Sequence, residues 1–310
     1  TNNLNTARRS MAGVGIQTAG LIAGGIGGTT AAEEYDGSSW TNGGSTNTGR
    51  QYLKGAGTQT AGIVFGGVDG SAAKDETETY NGSTWTETAD LNTGRQKIAS
   101  SISGTATACL CIGGAGFDPS PDSAANEEFN GSALSEEADL NDARRGIGGA
   151  GTSTAALAFG GAGAAGNPSV VANSETWNGT GWTEGANMNT ARSEFGGNGT
   201  STSALGYGGN PDSPGALVEQ WDGTAWSEVA DLSVKAAGNG HGGADSSSAF
   251  ECGGYDGSGN LATTEEWDFS STLAAGTWAS GGTVNTGRKY LGSAGTQTAA
   301  LIITGGPPQP

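Results

Sequence analysis

The chain has 310 residues, 34% of them hydrophobic, with 59 glycines and a formal net charge of −18. That acidic balance argues against nucleic acid and anionic membrane surfaces, which need clustered Lys and Arg. No apolar run reaches a membrane span, and three cysteines, Cys109, Cys111 and Cys252, give no disulfide framework and read as small buried hydrophobes. No secretion signal follows Thr1, and a processed segment ahead of it is left open.

The first recurring element is Asn-Thr-Ala/Gly-Arg or a close relative, at Asn5–Arg8, Asn47–Arg50, Asn92–Arg95, Asn141–Arg144, Asn189–Arg192 and Asn285–Arg288. In the sixth unit Leu232–Lys235 stands in its place, with Lys235 for the arginine. A first strand follows. It carries a large apolar residue (Met11, Leu53, Ile98, Ile147, Phe195) and, two further on, a small one (Gly13, Gly55, Ser100, Gly149, Gly197, Gly240). Small residues suit a place where backbones crowd.

A Gly-Thr-x-Thr turn leads into an apolar strand that ends in Gly-Gly, clearest at Ala155–Gly161. The pairs begin at residues 24, 66, 113, 160, 208, 253 and 305, so the step is 42 to 52 residues. A variable loop comes next, then a third strand with Glu-x-aromatic (Glu33, Glu78, Glu127, Glu175, Glu219, Glu265). Asn-Gly or Asp-Gly, which favours tight hairpins, joins most of these to a fourth strand carrying Trp40, Trp85, Leu134, Trp182, Trp226 or Trp278.

Four short strands per unit of this length predict an all-β chain of β-propeller blades. The units run about 4–46, 47–91, 92–140, 141–188, 189–231, 232–284 and 285–306, and 1–310 is read as one domain. The expected ring has seven blades, the last incomplete or shared by the termini; six blades with a surplus hairpin is the alternative. Gly-Gly, an aromatic and then Trp resembles the kelch motif of the galactose oxidase central domain. The Asn-Thr-Ala-Arg, Gly-Thr-Gln-Thr-Ala and Trp-Asn-Gly-x-x-Trp style is similar to uncharacterised kelch-like proteins of marine phages and bacteria. The resemblance spans the chain and implies a fold, not an activity.

The recurrent arginines read as scaffold, with the equally recurrent third-strand glutamates as partners. One histidine, His241, cannot supply a galactose-oxidase copper site. No nucleophile elbow accompanies it, so no catalytic residue and no enzyme is expected. His241 is aligned with Val14, Ala56, Ser101, Ala150, Asn198 and Ala294, and Glu251 breaks an apolar strand opposite. His241, Glu251, Asn239 and Asn198 are thus a candidate polar pocket, against the plainer reading of a local hydrogen-bonded pair. The acidic loops 69–78 and 118–128 lack ordered Ca²⁺-ligand spacing, so no cofactor or metal is expected.

Strand alternation puts the loops between strands two and three on one face, and variable loops on a repeated scaffold are where recognition concentrates. The candidate binding residues there are Asp69, Asp75, Phe117, Asp118, Asn167, Asn210, Asp212, Tyr255 and Asp256. The expectation is a non-enzymatic recognition or structural module that binds a protein or glycan. It would belong to a larger assembly, extracellular or virion-associated, such as a phage tail, fibre or decoration. The alternative is a glycan-active enzyme using loop or channel carboxylates.

Overall fold

The computed structural model describes residues 2–117, 121–163, 170–209, 215–269, 292–296 and 299–303. The chain divides into two compact units, Thr1–Phe269 and Ser270–Pro310. In the second, Gly292–Thr296 and Ala299–Ile303 pair as an antiparallel hairpin.

The first unit is a β-propeller. Its first blade is an antiparallel sheet of Ala12–Ile16, Ala19–Ala23, Ala32–Tyr35 and Trp40–Asn42, in that order. Blades two to five repeat this pattern from inner strands Lys54–Thr58, Ala99–Ser100, Gly148–Thr152 and Gly196–Thr200. The sixth has three described strands, Gly240–Asp245, Ser248–Cys252 and Thr264–Asp268.

Six blades close the ring, which corrects the expected seven. The inner strand Ala12–Ile16 packs directly beside Gly240–Asp245, and a Cβ on Gly13 would overlap the backbone of His241. Gln17, from the turn of blade one, donates through Nε2 to the carbonyls of Ala249 and Trp267 in blade six. Gln59 makes the same link from blade two back to Gly20 and Tyr35. Leu4, near the N-terminus, donates its N–H to the Ala262 carbonyl in the sixth blade (2.7 Å). The repeat counts units, but closure depends on how closely the inner backbones approach.

The repeated motif is one hydrogen-bonded assembly. Arg50, Arg95, Arg144 and Arg192 pair with Glu78, Glu127, Glu175 and Glu219 at 2.6–3.2 Å, and Arg8 pairs with Glu33. All ten are buried. Each Glu also accepts the N–H of the Asn that opens its motif (Asn5, Asn47, Asn92, Asn141, Asn189). Each Arg donates through its Nη1 to the carbonyl of the first glycine of a pair, as Arg144 does to Gly160 (2.8 Å). Charge-assisted bonds of this kind satisfy a buried cation that would otherwise be costly.

Gly-Gly follows from the same circuit. Both glycines take positive φ, for example 62° and 108° at Gly160 and Gly161, a conformation that favours Gly. The second donates to the next blade: Gly25 to Arg50, Gly67 to Arg95, Gly114 to Arg144, Gly161 to Arg192, Gly209 to Ala236 and Gly254 to Arg8. These bonds also run round six blades and close.

They correct the reading of the sixth unit by one residue. Ala236, not Lys235, takes the place of the arginine, and Lys235 is exposed. Asn239 therefore holds the large apolar place, and His241 the small place shared by Gly13, Gly55, Ser100, Gly149 and Gly197. Lys235 resembles the missing arginine in charge, but backbone bonding sets the register.

Candidate functional site

Two residues after Arg8, Arg50, Arg95, Arg144, Arg192 and Ala236 the backbone turns left-handed. Ser10, Tyr52, Lys97 and Glu194 have φ of 59°, 58°, 53° and 57°, and Gly146 and Gly238 hold the other two places at 62° and 63°. Their amides form a closed ring. Tyr52 donates to the Ser10 carbonyl, Lys97 to Tyr52, Gly146 to Lys97, Glu194 to Gly146, Gly238 to Glu194 and Ser10 to Gly238, all at 2.6–2.9 Å. A non-glycine residue in this conformation costs about 1–2 kcal/mol. Four of six places keep a side chain despite that cost, and such strain concentrates at functional sites.

The side chains form a polar cluster at the start of the inner strands. Lys97 pairs with Glu194 and sets its Nζ 4.7 Å from the centre of the Tyr52 ring. Arg9 stacks over Tyr255 at 4.3 Å. Arg9, Ser10, Tyr52, Glu194 and Tyr255 line a cavity of about 200 Å³. A smaller space of about 30 Å³ is lined by Lys54 together with Tyr52, Lys97 and Glu194 of the ring.

The Lys54 Nζ lies 3.3 Å from His241 Nε2. Burial pulls the Lys54 ammonium down to about 8, against the opposing pull of Glu194. Burial first, then Lys54, holds the His241 imidazole well below its ordinary value. The assigned arrangement is a neutral ring whose Nδ1–H donates to the Asn239 carbonyl (3.3 Å), leaving Nε2 to accept from Lys54.

The variable loops are fastened beside this ring. In four blades the residue after Gly-Gly pairs with the one preceding a ring residue: Val68 with Gln51, Ala115 with Gln96, Ala162 with Arg145 and Tyr255 with Ala237. Ile26 likewise donates to Arg9. Loops and ring therefore share a face.

The expected binding residues fare unevenly. Asp69 and Asp256 cap their own loops. Their Oδ1 atoms accept from Ser71 and Ala72, and from Ser258 and Gly259. These bonds, first those from the Ser71 and Ser258 side chains, hold both carboxyls below the ordinary range. Asp75 is exposed. Phe117, 39% exposed, lines an open groove of about 560 Å³ with Asp122 and Thr93. Tyr255 joins the ring cavity. Asp118, Asn167, Asn210 and Asp212 lie outside the described residues.

The candidate polar pocket divides. His241 and Glu251 face each other in register, and Asn239 Nδ2 donates to Glu251 (3.0 Å). Asn198 does not join them; its Nδ2 donates to the Asp245 carbonyl (2.7 Å). Burial pushes the Glu251 carboxyl up to about 8, with Asn239 opposing and Glu265 adding to the rise. Among the described residues, no three His, Cys, Asp or Glu side chains are grouped to hold a metal ion.

Sequence reading missed Ser10, Tyr52, Lys54, Lys97 and Glu194. The available signal was the pair Gly146 and Gly238, which share a column once the sixth unit is registered on Ala236; shared glycine marks a place needing positive φ.

No family model matches the chain, and no curated protein matches it. Solved structures do, with 237 matching chains. One of them, the structure of YjhT, is similar with a TM-score of 0.70 at 13% identity, over 86% of this chain and 96% of its own. A likeness at that identity carries the β-propeller fold alone.

Proposed function

We propose that the protein is a kelch-type recognition module, a non-enzymatic part of an extracellular or virion-associated assembly, that binds a glycan or a partner protein on its loop-bearing face. The ring cavity is the centre of that surface. One observation carries the reading: strained backbone retained at Ser10, Tyr52, Lys97 and Glu194 where Gly146 and Gly238 show that glycine fits. The cavity brings an aromatic face, a cation, a hydroxyl and a carboxylate together. Sugar and side-chain recognition use such groups, a few placed polar atoms against apolar surface.

The alternative, a glycan-active enzyme, needs two carboxylates across one bond. Of the described residues lining the ring cavity, Glu194 is the acid present, and it is paired with Lys97. A glycan array followed by product analysis tests the choice. Binding without turnover, weakened about tenfold by Glu194→Gly as expected of a central contact, since Glu194 lines that cavity, supports recognition. Released product, or binding that ignores Glu194→Gly, contradicts it.

A further inference from the structure

The sixth blade lacks its arginine but keeps the groups that an arginine would satisfy. In the other five, the guanidinium sits between the third-strand Glu and the second strand, as Arg95 does between Glu127 Oε1 (2.6 Å) and Cys111 Sγ (3.6 Å). The large apolar residue lies beside it; the Arg192 guanidinium is 5.4 Å from the Phe195 ring. Blade six has Ala236 for the arginine, Glu251 at the Cys111 place, Asn239 at the Phe195 place and Glu265 for the glutamate. Glu251 and Asn239 each add an acceptor where the cation is missing.

One acceptor oxygen of each is unspent. Glu251 is 2% exposed and Asn239 1%, yet Glu251 Oε1 and Asn239 Oδ1 have no partner among the described residues, and neither does the buried hydroxyl of Thr263. Thr263 corresponds to the residue whose carbonyl receives the arginine Nη1 in other blades, such as Leu217 for Arg192. Unsatisfied buried acceptors are costly and call for an explanation. Glu265 still accepts the Ser233 and Val234 N–H groups (2.8 and 2.9 Å), so the motif's cap survives without its cation. A cavity of about 60 Å³ reaches Glu251 and Glu265, with exposed Asp231 and Glu266 also in its lining.

We propose that this place in blade six is a binding site for a guanidinium group carried by a ligand, either a small guanidino compound or an arginine side chain of a peptide. The planar fork matches the Glu265 carboxylate, the Glu251 carboxyl oxygen and the Asn239 amide oxygen better than a compact ammonium does. The site stands on observations separate from the ring cavity, and its test leaves that reading untouched.

Thermal unfolding of the whole chain with millimolar methylguanidinium, against equal sodium chloride, reads it. The expected rise is about 2–4 °C in Tm. The rise should vanish in Glu265→Gln. Ala236→Arg should raise Tm by itself and remove the response; if that variant does not fold, Glu265→Gln still decides. N-acetyl-argininamide protecting as well identifies a side-chain ligand, and methylguanidinium alone protecting identifies a small one. No rise in the wild type, an equal rise in Glu265→Gln, or equal protection by neutral N-acetyl-citrullinamide would overturn the proposal.

Discussion

Blades one to five each bury an arginine on a carboxylate, whereas blade six buries Glu251 beside Glu265 with no arginine at all. The backbone circuit is the same in both. Gly209 bonds to Ala236 as Gly161 does to Arg192. The scaffold therefore needs the peptide geometry at that place in every blade and tolerates loss of the cation in one. What distinguishes the sixth blade is the polar atoms left over, so departures from the repeat carry more functional information than the repeat.

The largest expected effect breaks the comparison from the five-blade side. Arg144→Ala leaves Glu175 buried without its partner and should cost about 3–5 kcal/mol in urea unfolding. A loss as small as that of a surface pair would mean that the circuit, not the ion pair, holds the blade.

A smaller effect isolates the sixth blade by pH. Glu251 ionises near 8 in the fold against an ordinary 4.5, so the native state holds a proton that the unfolded chain has released. Its contribution is fully present below pH 4.5 and is lost as pH rises through 8. His241 opposes this below its ordinary 6.5, because there the unfolded chain binds the extra proton. Between about pH 6.5 and 8 stability should fall, by at most about 1.4 kcal/mol per pH unit, and Glu251→Gln should flatten the slope. Lys54 acts above that window. Its value of about 8, down from 10.5, makes stability rise with pH between the two. A slope unchanged by Glu251→Gln would assign the titration elsewhere.

The columns that make up the circuit were legible because every copy obeys one constraint: Arg with Glu, Gly-Gly for paired positive φ, Asn-Gly for the hairpin. Asn81, Asn130 and Asn178 confirm the last, each accepting from the two residues that close its turn. Blade number was not legible, because no single residue encodes closure. Lys235 drew the sixth unit out of register by matching a charge while the backbone matched something else. Asp69 and Asp256 were legible as exposed loop acids but not as turn caps, because the two have the same letter. The ring residues escaped because their side chains differ from blade to blade, and what they share is a backbone angle.

The smallest expected change in stability carries the central claim, that the ring of left-handed residues is kept for its side chains. Tyr52→Gly relieves strain worth about 1–2 kcal/mol and gives up packing and chain stiffness of similar size, so stability should stay within about 1 kcal/mol of the wild type. Unfolding and array binding measured together on Tyr52→Gly test this directly. An intact fold with binding lost is the expected result. Intact binding, or a fold that collapses with the substitution, would contradict it.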